Sequence, residues 1–258
     1  MQSSSSSSQA MELAILGAGP AYSDYPGAIG AAYLLSWGTT RLVLDLGQGT
    51  FTPLAGAVDP TTVDAIVVSH LHPDHFVDLV PLRHYLRWEC QPPRRLRIVG
   101  PRDLAGRLDA LHADPGFSDA ALDMEPLDEG SFTVGGFGVV ARKVRHTADS
   151  YAFRVSWGDG PGLVYTGDCG RAEDIDPLVR PGDTLLSEVS FGPSPGDPHA
   201  AHLSGPDVGA LATRTGVERV LLTHLGMGHD RVETVDSVCR LFTGPAELVE
   251  PGSRYSLR

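Results

Sequence analysis

Cysteine is scarce in this sequence: Cys90, Cys169 and Cys239 are the only three, widely spaced and odd in number. They make neither a disulfide framework nor a paired-cysteine zinc motif. No apolar run approaches the ~20 residues a membrane helix requires. The opening "MQSSSSSSQA" has no basic stretch followed by an apolar core, so it does not read as a secretory leader. Positive charge is also in deficit, with 20 Lys and Arg against 32 Asp and Glu and a formal net charge of −12. That argues against a broad phosphate-binding surface of the kind that holds duplex or folded RNA. A small anionic substrate stays open, because a bound metal can supply positive charge locally. The expected location is the cytoplasm.

What is present suits a soluble globular protein. At 258 residues, 41% hydrophobic and 20% charged, the chain can bury a full core. The Ser-rich residues 1–10 are expected to be disordered, and 11–258 to form a single domain beginning at Met11. Short β-rich runs occur at 11–17, 31–37, 41–47, 63–69 and 95–100, then at 137–144, 151–157, 162–168, 183–190 and 219–225. Helical periodicity appears at about 75–88, 102–112, 204–215 and 231–242, the third opening on Ser204 as N-cap with Pro206 in its first turn. Strands come in groups with helices between the groups. That pattern fits an α/β fold of two mixed sheets packed together with helices outside better than a doubly wound parallel sheet.

The segment "SHLHPDHF" (69–76) places His70, His72, Asp74 and His75 within six positions, between an apolar strand-like run and a helical one. Other ligand-type residues fall at or near the ends of apolar runs: His146, Asp168, Glu188 and His224. Strand ends along one sandwich edge converge on one rim. Taken singly, His146 and His224 read as hydrogen-bonding residues, and Asp168 as a turn residue after Gly167. Asp45 in "LDLGQGT" reads as structural, holding the backbone amides that follow it. His84 reads as a solvated helix residue, His112 and His199 as surface loop residues, and Cys169 as a small buried one. His229 in "GMGHD" is ambiguous, with the mouth of a site one option. The cluster at 70–75 is different, because buried histidines without a metal would leave ring nitrogens unpaired or mutually repelling.

Zinc takes imidazole nitrogen and carboxylate oxygen. His70 and His72, two apart in an extended loop, can share one ion, and Asp74 and His75 past the turn can reach a second. Asp168 is the candidate bridging carboxylate, with His146 completing the first ion and His224 the second. A pair of such ions activates water and stabilises an attacked phosphoryl or carbonyl oxygen.

This motif set resembles the metallo-β-lactamase fold superfamily. The pattern H-x-H-x-D-H is met by His70, His72, Asp74 and His75, and the later isolated ligands by His146, Asp168 and His224. The opening "LGAGPAYSDYPGAIGAAYLL" is similar to the family's first hairpin. The resemblance implies an αββα sandwich with a dinuclear site on one edge. His72 and Asp168 match the zinc hydrolases better than the flavodiiron proteins or the lactamases with a cysteine ligand.

Within that superfamily, "LLSEVSF" and "HLSG" resemble the ribonuclease Z and phosphodiesterase branch. There Glu188 would orient His202, a non-ligand histidine serving as general acid; the bland alternative is that His202 merely caps the helix starting near Ser204. Residues 147–167 suffice for a hairpin but not for the long tRNA-binding arm of ribonuclease Z. The tail "HLSGPDVGALATRTGVERVLLTHL" is similar to actinobacterial atypical class II cyclic-nucleotide phosphodiesterases.

The resemblance therefore implies two zinc ions, with manganese as the alternative, and a small phosphodiester substrate, cAMP first. Asp74 would help orient the attacking water and His202 would protonate the departing oxygen. The loops after residues 20, 115 and 190 would enclose the substrate. A homodimer is implied, with neither a membrane nor a nucleic acid as partner. Three alternatives stay open: a tRNA 3′-end endonuclease, a carboxylic ester, lactone or thioester hydrolase on the same metals, and a metal-binding protein without turnover.

Overall fold

The computed structural model describes residues 10–194 and 201–257. Residues 1–9 of the expected disordered N-terminus, and His199, lie outside them. The first sheet contains β1 (Met11–Ala18), β2 (Ala31–Trp37), β3 (Thr40–Leu44), β4 (Ala65–Val67), β5 (Leu96–Gly100), β6 (Leu122–Pro126) and β14 (Arg254–Leu257), in the order β14-β1-β2-β3-β4-β5-β6. The second contains β7 (Gly130–Val134), β8 (Phe137–Lys143), β9 (Tyr151–Ser156), β10 (Leu163–Tyr165), β11 (Thr184–Glu188), β12 (Arg219–Thr223) and β13 (Ala246–Leu248), in the order β13-β12-β11-β10-β9-β8-β7. Each sheet is mixed. β14, β1, β2 and β3 pair antiparallel while β3 to β6 run parallel; in the second sheet β7 to β10 pair antiparallel and β10 to β13 run parallel.

The near-continuous apolar character of the central strands follows from burial on both faces. Alternate residues of β1 divide between two cores: Leu13 and Ile15 meet Phe153, Tyr165 and Leu221 between the sheets, whereas Ala14 and Leu16 face outward. The outward face of the first sheet is covered by α1 (Phe51–Ala57), α2 (Pro73–Phe76), α3 (Leu79–His84) and α4 (Leu104–His112), through Leu54, Phe76, Leu79, Leu82 and Leu104. On the second sheet, Val164, Leu185 and Val220 pack under Val208 and Leu211 of α5 (Gly205–Thr215) and Val238 of α6 (Arg231–Cys239). The layers are helix, sheet, sheet, helix, as the sequence pattern implies.

The periodic stretch at 75–88 is not one helix. It breaks between α2 and α3, and Pro81 in the first turn of α3 has no amide to carry a continuous hydrogen-bond ladder across that break. Residues Tyr85–Glu89 then form a wider turn. β6, β7, β13 and β14 were not signalled by hydrophobic pattern; they are the four outermost strands of the two sheets. α5 starts where expected: Ser204 Oγ and the Asp207 backbone amide, together with the Asp207 carboxylate and the Ser204 amide, form a reciprocal cap.

Candidate metal centre

Four strands of the two sheets deliver the cluster. β4 ends in Val67, and the chain runs extended through His70 and His72 before Pro73 starts α2, where the fixed proline φ favours a first helical turn. Two histidines therefore precede the turn, and Asp74 and His75 follow inside α2. His146 lies beyond β8, Asp168 beyond β10, and His224 beyond β12. Gly167, at φ 54°, lets the chain turn before Asp168; a Cβ there would sit 2.7 Å from the Tyr151 carbonyl oxygen. His224 itself holds a left-handed φ of 58°, an uncommon conformation for a non-glycine residue and frequent at functional sites.

All seven sequence-derived ligands converge, and they do so in two groups around one carboxylate. Asp168 Oδ2 lies 3.6 Å from His70 Nε2 and 3.6 Å from His146 Nε2, and His146 Nε2 is 3.1 Å from His72 Nδ1. Asp168 Oδ1 lies 3.4 Å from His75 Nε2 and 3.5 Å from His224 Nε2. Asp74 Oδ2 closes the second group, 3.1 Å from His224 Nε2 and 3.7 Å from His75 Nε2. One ligand atom from each of His70, His72, His146 and Asp168 fits within 4.8 Å, as does one from each of Asp74, His75 and His224.

The donor set fits divalent cations. Among the described residues, the buried side-chain atoms without a hydrogen-bond partner are His70 Nε2, Asp74 Oδ1 and Asp168 Oδ1, all three in this cluster. Buried polar atoms are normally paired, so three orphans at one point mark a place built for another atom. Electrostatics agrees. Burial, followed by repulsion from His75, holds His70 well below the ordinary imidazole range, and burial likewise lowers His72 and His146, keeping them in the neutral ligating form. Burial opposes charge on His75 too, yet Asp168 and Asp45 raise it well above the ordinary value. Asp168 is held well below the carboxylate range; burial opposes this, and His224 and His75 overcome it. The buried carboxylates demand positive charge at the centre.

Glu188 and His202 stand beside this cluster. Glu188 is fully buried at the end of β11, and His202 Nδ1 meets its Oε1 at 3.1 Å while the His202 side chain stays 22% exposed. The carboxylate is itself anchored, accepting the Cys169 amide at 2.8 Å and the Ser190 amide at 3.0 Å. Burial works against a protonated His202, but the Glu188 hydrogen bond and charge raise its pKa. The helix N-cap belongs to Ser204, so His202 is free of that task.

Asp45 is structural in a different sense from the one its sequence context suggests. Its oxygens take Ser69 N at 2.6 Å, Ser69 Oγ at 2.8 Å and Tyr165 OH at 2.7 Å, and lie 2.7 Å from His75 Nδ1. It therefore orients His75, as carboxylates commonly orient ligating histidines. Ser69 and Ser190, which touch His70 and His224, also escaped sequence reasoning, because single serines carry no spacing signal. Cys169 is buried as expected, and His229 lines a cavity adjoining His224.

Comparison with known proteins agrees with this geometry. Residues 40–225 match the family described as the beta-lactamase superfamily domain. The uncharacterized protein Rv1339 of Mycobacterium tuberculosis is 32% identical over 226 residues, covering 85% of this chain and 82% of its own. The probable metallo-hydrolase YhfI of Bacillus subtilis is 28% identical over 221 residues, 83% of this chain and 87% of its own. The crystal structure of that metallo-beta-lactamase fold protein superposes with a TM-score of 0.85 at 23% identity over 95% of this chain and 99% of that one. The short form of human tRNase Z gives a TM-score of 0.74 at 22% identity, over 96% and 99%. With its family match, its helix–sheet–sheet–helix layers and seven converging His and Asp side chains, the chain belongs to the β-lactamase superfamily.

Proposed function

We propose that this metal-dependent hydrolase is a phosphodiesterase acting on a small phosphodiester, with a 3′,5′-cyclic nucleotide such as cAMP as the leading substrate. His70, His72 and His146 would hold one divalent ion, and Asp74, His75 and His224 a second, with Asp168 near both groups as a shared ligand; zinc comes first and manganese is the alternative. Such ions lower the pKa of water and neutralise charge on phosphoryl oxygens. The Glu188–His202 pair is the observation that carries the phosphodiesterase reading, since ester or lactone hydrolysis on the same cluster would not need it.

The chain's own groups divide the remaining work. Asp74 Oδ1, buried and without a protein partner, accepts a hydrogen bond from the attacking water and orients it. Glu188 takes the Nδ1 proton of His202 in a hydrogen bond and thereby fixes its tautomer, leaving Nε2 to act. As the P–O bond breaks, His202 Nε2 gives its proton to the departing ribose oxygen. The activity would reside in one domain, residues 11–258, in the cytoplasm and as a homodimer. Among the described residues no helix is long and apolar enough to cross a membrane.

A tRNA 3′-end endonuclease is the second reading, favoured by the name of the human tRNase Z that shares this fold. The net charge of −12 speaks against it, and the chain between His146 and Asp168 holds only the β9–β10 hairpin. The test is a substrate panel on zinc- and manganese-loaded protein: 3′,5′-cyclic nucleotides, bis-p-nitrophenyl phosphate, a lactone, a thioester and pre-tRNA. Cyclic-nucleotide turnover above the rest supports the proposal; preference for the lactone, the thioester or pre-tRNA overturns it.

A further inference from the structure

A cavity of about 490 Å3 adjoins the cluster at His224. It lies between the segment after β1, the loop from β12 into α6, and the turn after β13. Its volume is within the ~300–1,000 Å3 usual for small-molecule sites. Its chemistry differs from that of the cluster. Arg231 is the one Lys or Arg among the described lining residues, and its guanidinium is paired with Glu250 at 2.8 Å. The same guanidinium lies 4.4 Å from the centroid of the Tyr25 ring. Tyr25 is 45% exposed, so an aromatic ring is presented at this cavity and already held in place. Asp24 and Glu250 add hydrogen-bond acceptors, and Pro20, Pro26 and Leu248 add apolar wall.

A lining whose single guanidinium is already neutralised is a poor place for a phosphoryl group. It suits a flat, uncharged ring bearing N–H donors. We propose that the cavity binds the heteroaromatic base of the substrate, with Tyr25 as stacking platform and the Arg231–Glu250 pair as the clamp that steadies it. This inference rests on the phosphodiesterase reading, in which the phosphodiester lies at the His/Asp cluster and its base must extend to one side. His224 belongs both to the cluster and to the cavity lining, so a base bound in the cavity would lie beside the site of the reacting phosphorus.

The test uses metal-loaded, full-length protein with two probes, adenosine binding by calorimetry and cAMP turnover. Base–aromatic stacking predicts that Tyr25→Ala weakens adenosine binding and raises KM for cAMP by about tenfold or more, while Tyr25→Phe retains both. Ala28→Trp, which fills the cavity from its wall, should block adenosine as well. Unchanged adenosine affinity in both Tyr25→Ala and Ala28→Trp overturns the assignment, as does a wild-type protein that binds no adenosine. If wild type binds adenosine through Tyr25 yet turns over no cyclic nucleotide, the cavity assignment holds and the phosphodiesterase reading falls.

Discussion

Glu188 and His224 are joined through one hydroxyl: Ser190 Oγ lies 2.7 Å from Glu188 Oε2 and 3.0 Å from His224 Nδ1. With Ser190 donating to the carboxylate and His224 Nδ1–H donating to Ser190, a single buried charge orients both His202 and a candidate metal ligand. Outer partners of ligating histidines are commonly worth about 10–100-fold in metal affinity. Ser190→Ala should therefore weaken the second ion by that order, and Ser190→Thr should restore it. Chelator competition and metal content after dialysis measure this; wild-type retention of both ions by Ser190→Ala would count against the relay.

His202→Ala should lower phosphodiester turnover by about 10²–10⁴-fold while metal content stays that of wild type, as befits a proton donor outside the ligand set. Turnover is followed with cAMP and metal by elemental analysis. Undiminished cAMP hydrolysis removes His202 from the mechanism.

In the proposed mechanism the acid form of His202 is the working form, and its pKa is the balance of burial, which lowers it, and Glu188, which prevails and raises it. Activity should consequently fall as pH rises through that raised value. Glu188→Gln removes the charge but keeps the shape, so the alkaline limb of the kcat profile should move to lower pH. A limb that stays in place assigns the titration to another group.

Asp168→Asn should cost both ions together, because each carboxylate oxygen faces a different histidine group. Loss of one ion alone, seen by metal analysis of the purified variant, would show that the carboxylate is not shared.

Away from the site, Arg154 Nε and Nη2 donate to Asp183 at 2.7 and 2.8 Å, both side chains being buried. Asp183 also accepts the Gly162 and Arg180 amides and so ties the β9–β10 hairpin to β11. Removing one partner of a buried pair strands the other, so Arg154→Ala should destabilise the fold by about 3–5 kcal/mol. Urea unfolding reads this directly.

The candidate metal centre is legible in the sequence because its residues are chemically distinctive and follow apolar runs: four in "SHLHPDHF", then His146, Asp168 and His224. All seven meet within two compact groups. The four strands that hydrophobic pattern failed to signal are the sheet edges, where one side of each strand has no neighbour. Edge strands such as "LDMEP" (β6) and "RYSL" (β14) are short and carry charge, a composition that discourages edge-to-edge association and also erases the apolar signature. The local context of Asp45 points to the amides that follow it, whereas its partners Ser69, His75 and Tyr165 are brought to it by β4, α2 and β10. Such partners are fixed by tertiary pairing, and nothing in the local spacing names them.

The candidate ligands do not come from one half of the molecule. His70, His72, Asp74 and His75 are carried by the first sheet and its helix, and His146, Asp168 and His224 by the second. Any cation bound there is also a rivet through the sandwich, fastening two layers that are otherwise joined at that rim by apolar contact and by hydrogen bonds such as Tyr165 OH to Asp45 and Tyr33 OH to Thr223. Binding only to the folded form adds stability in proportion to the logarithm of ion concentration over Kd. Chelation should thus loosen the mouth of the sandwich as well as stop the chemistry.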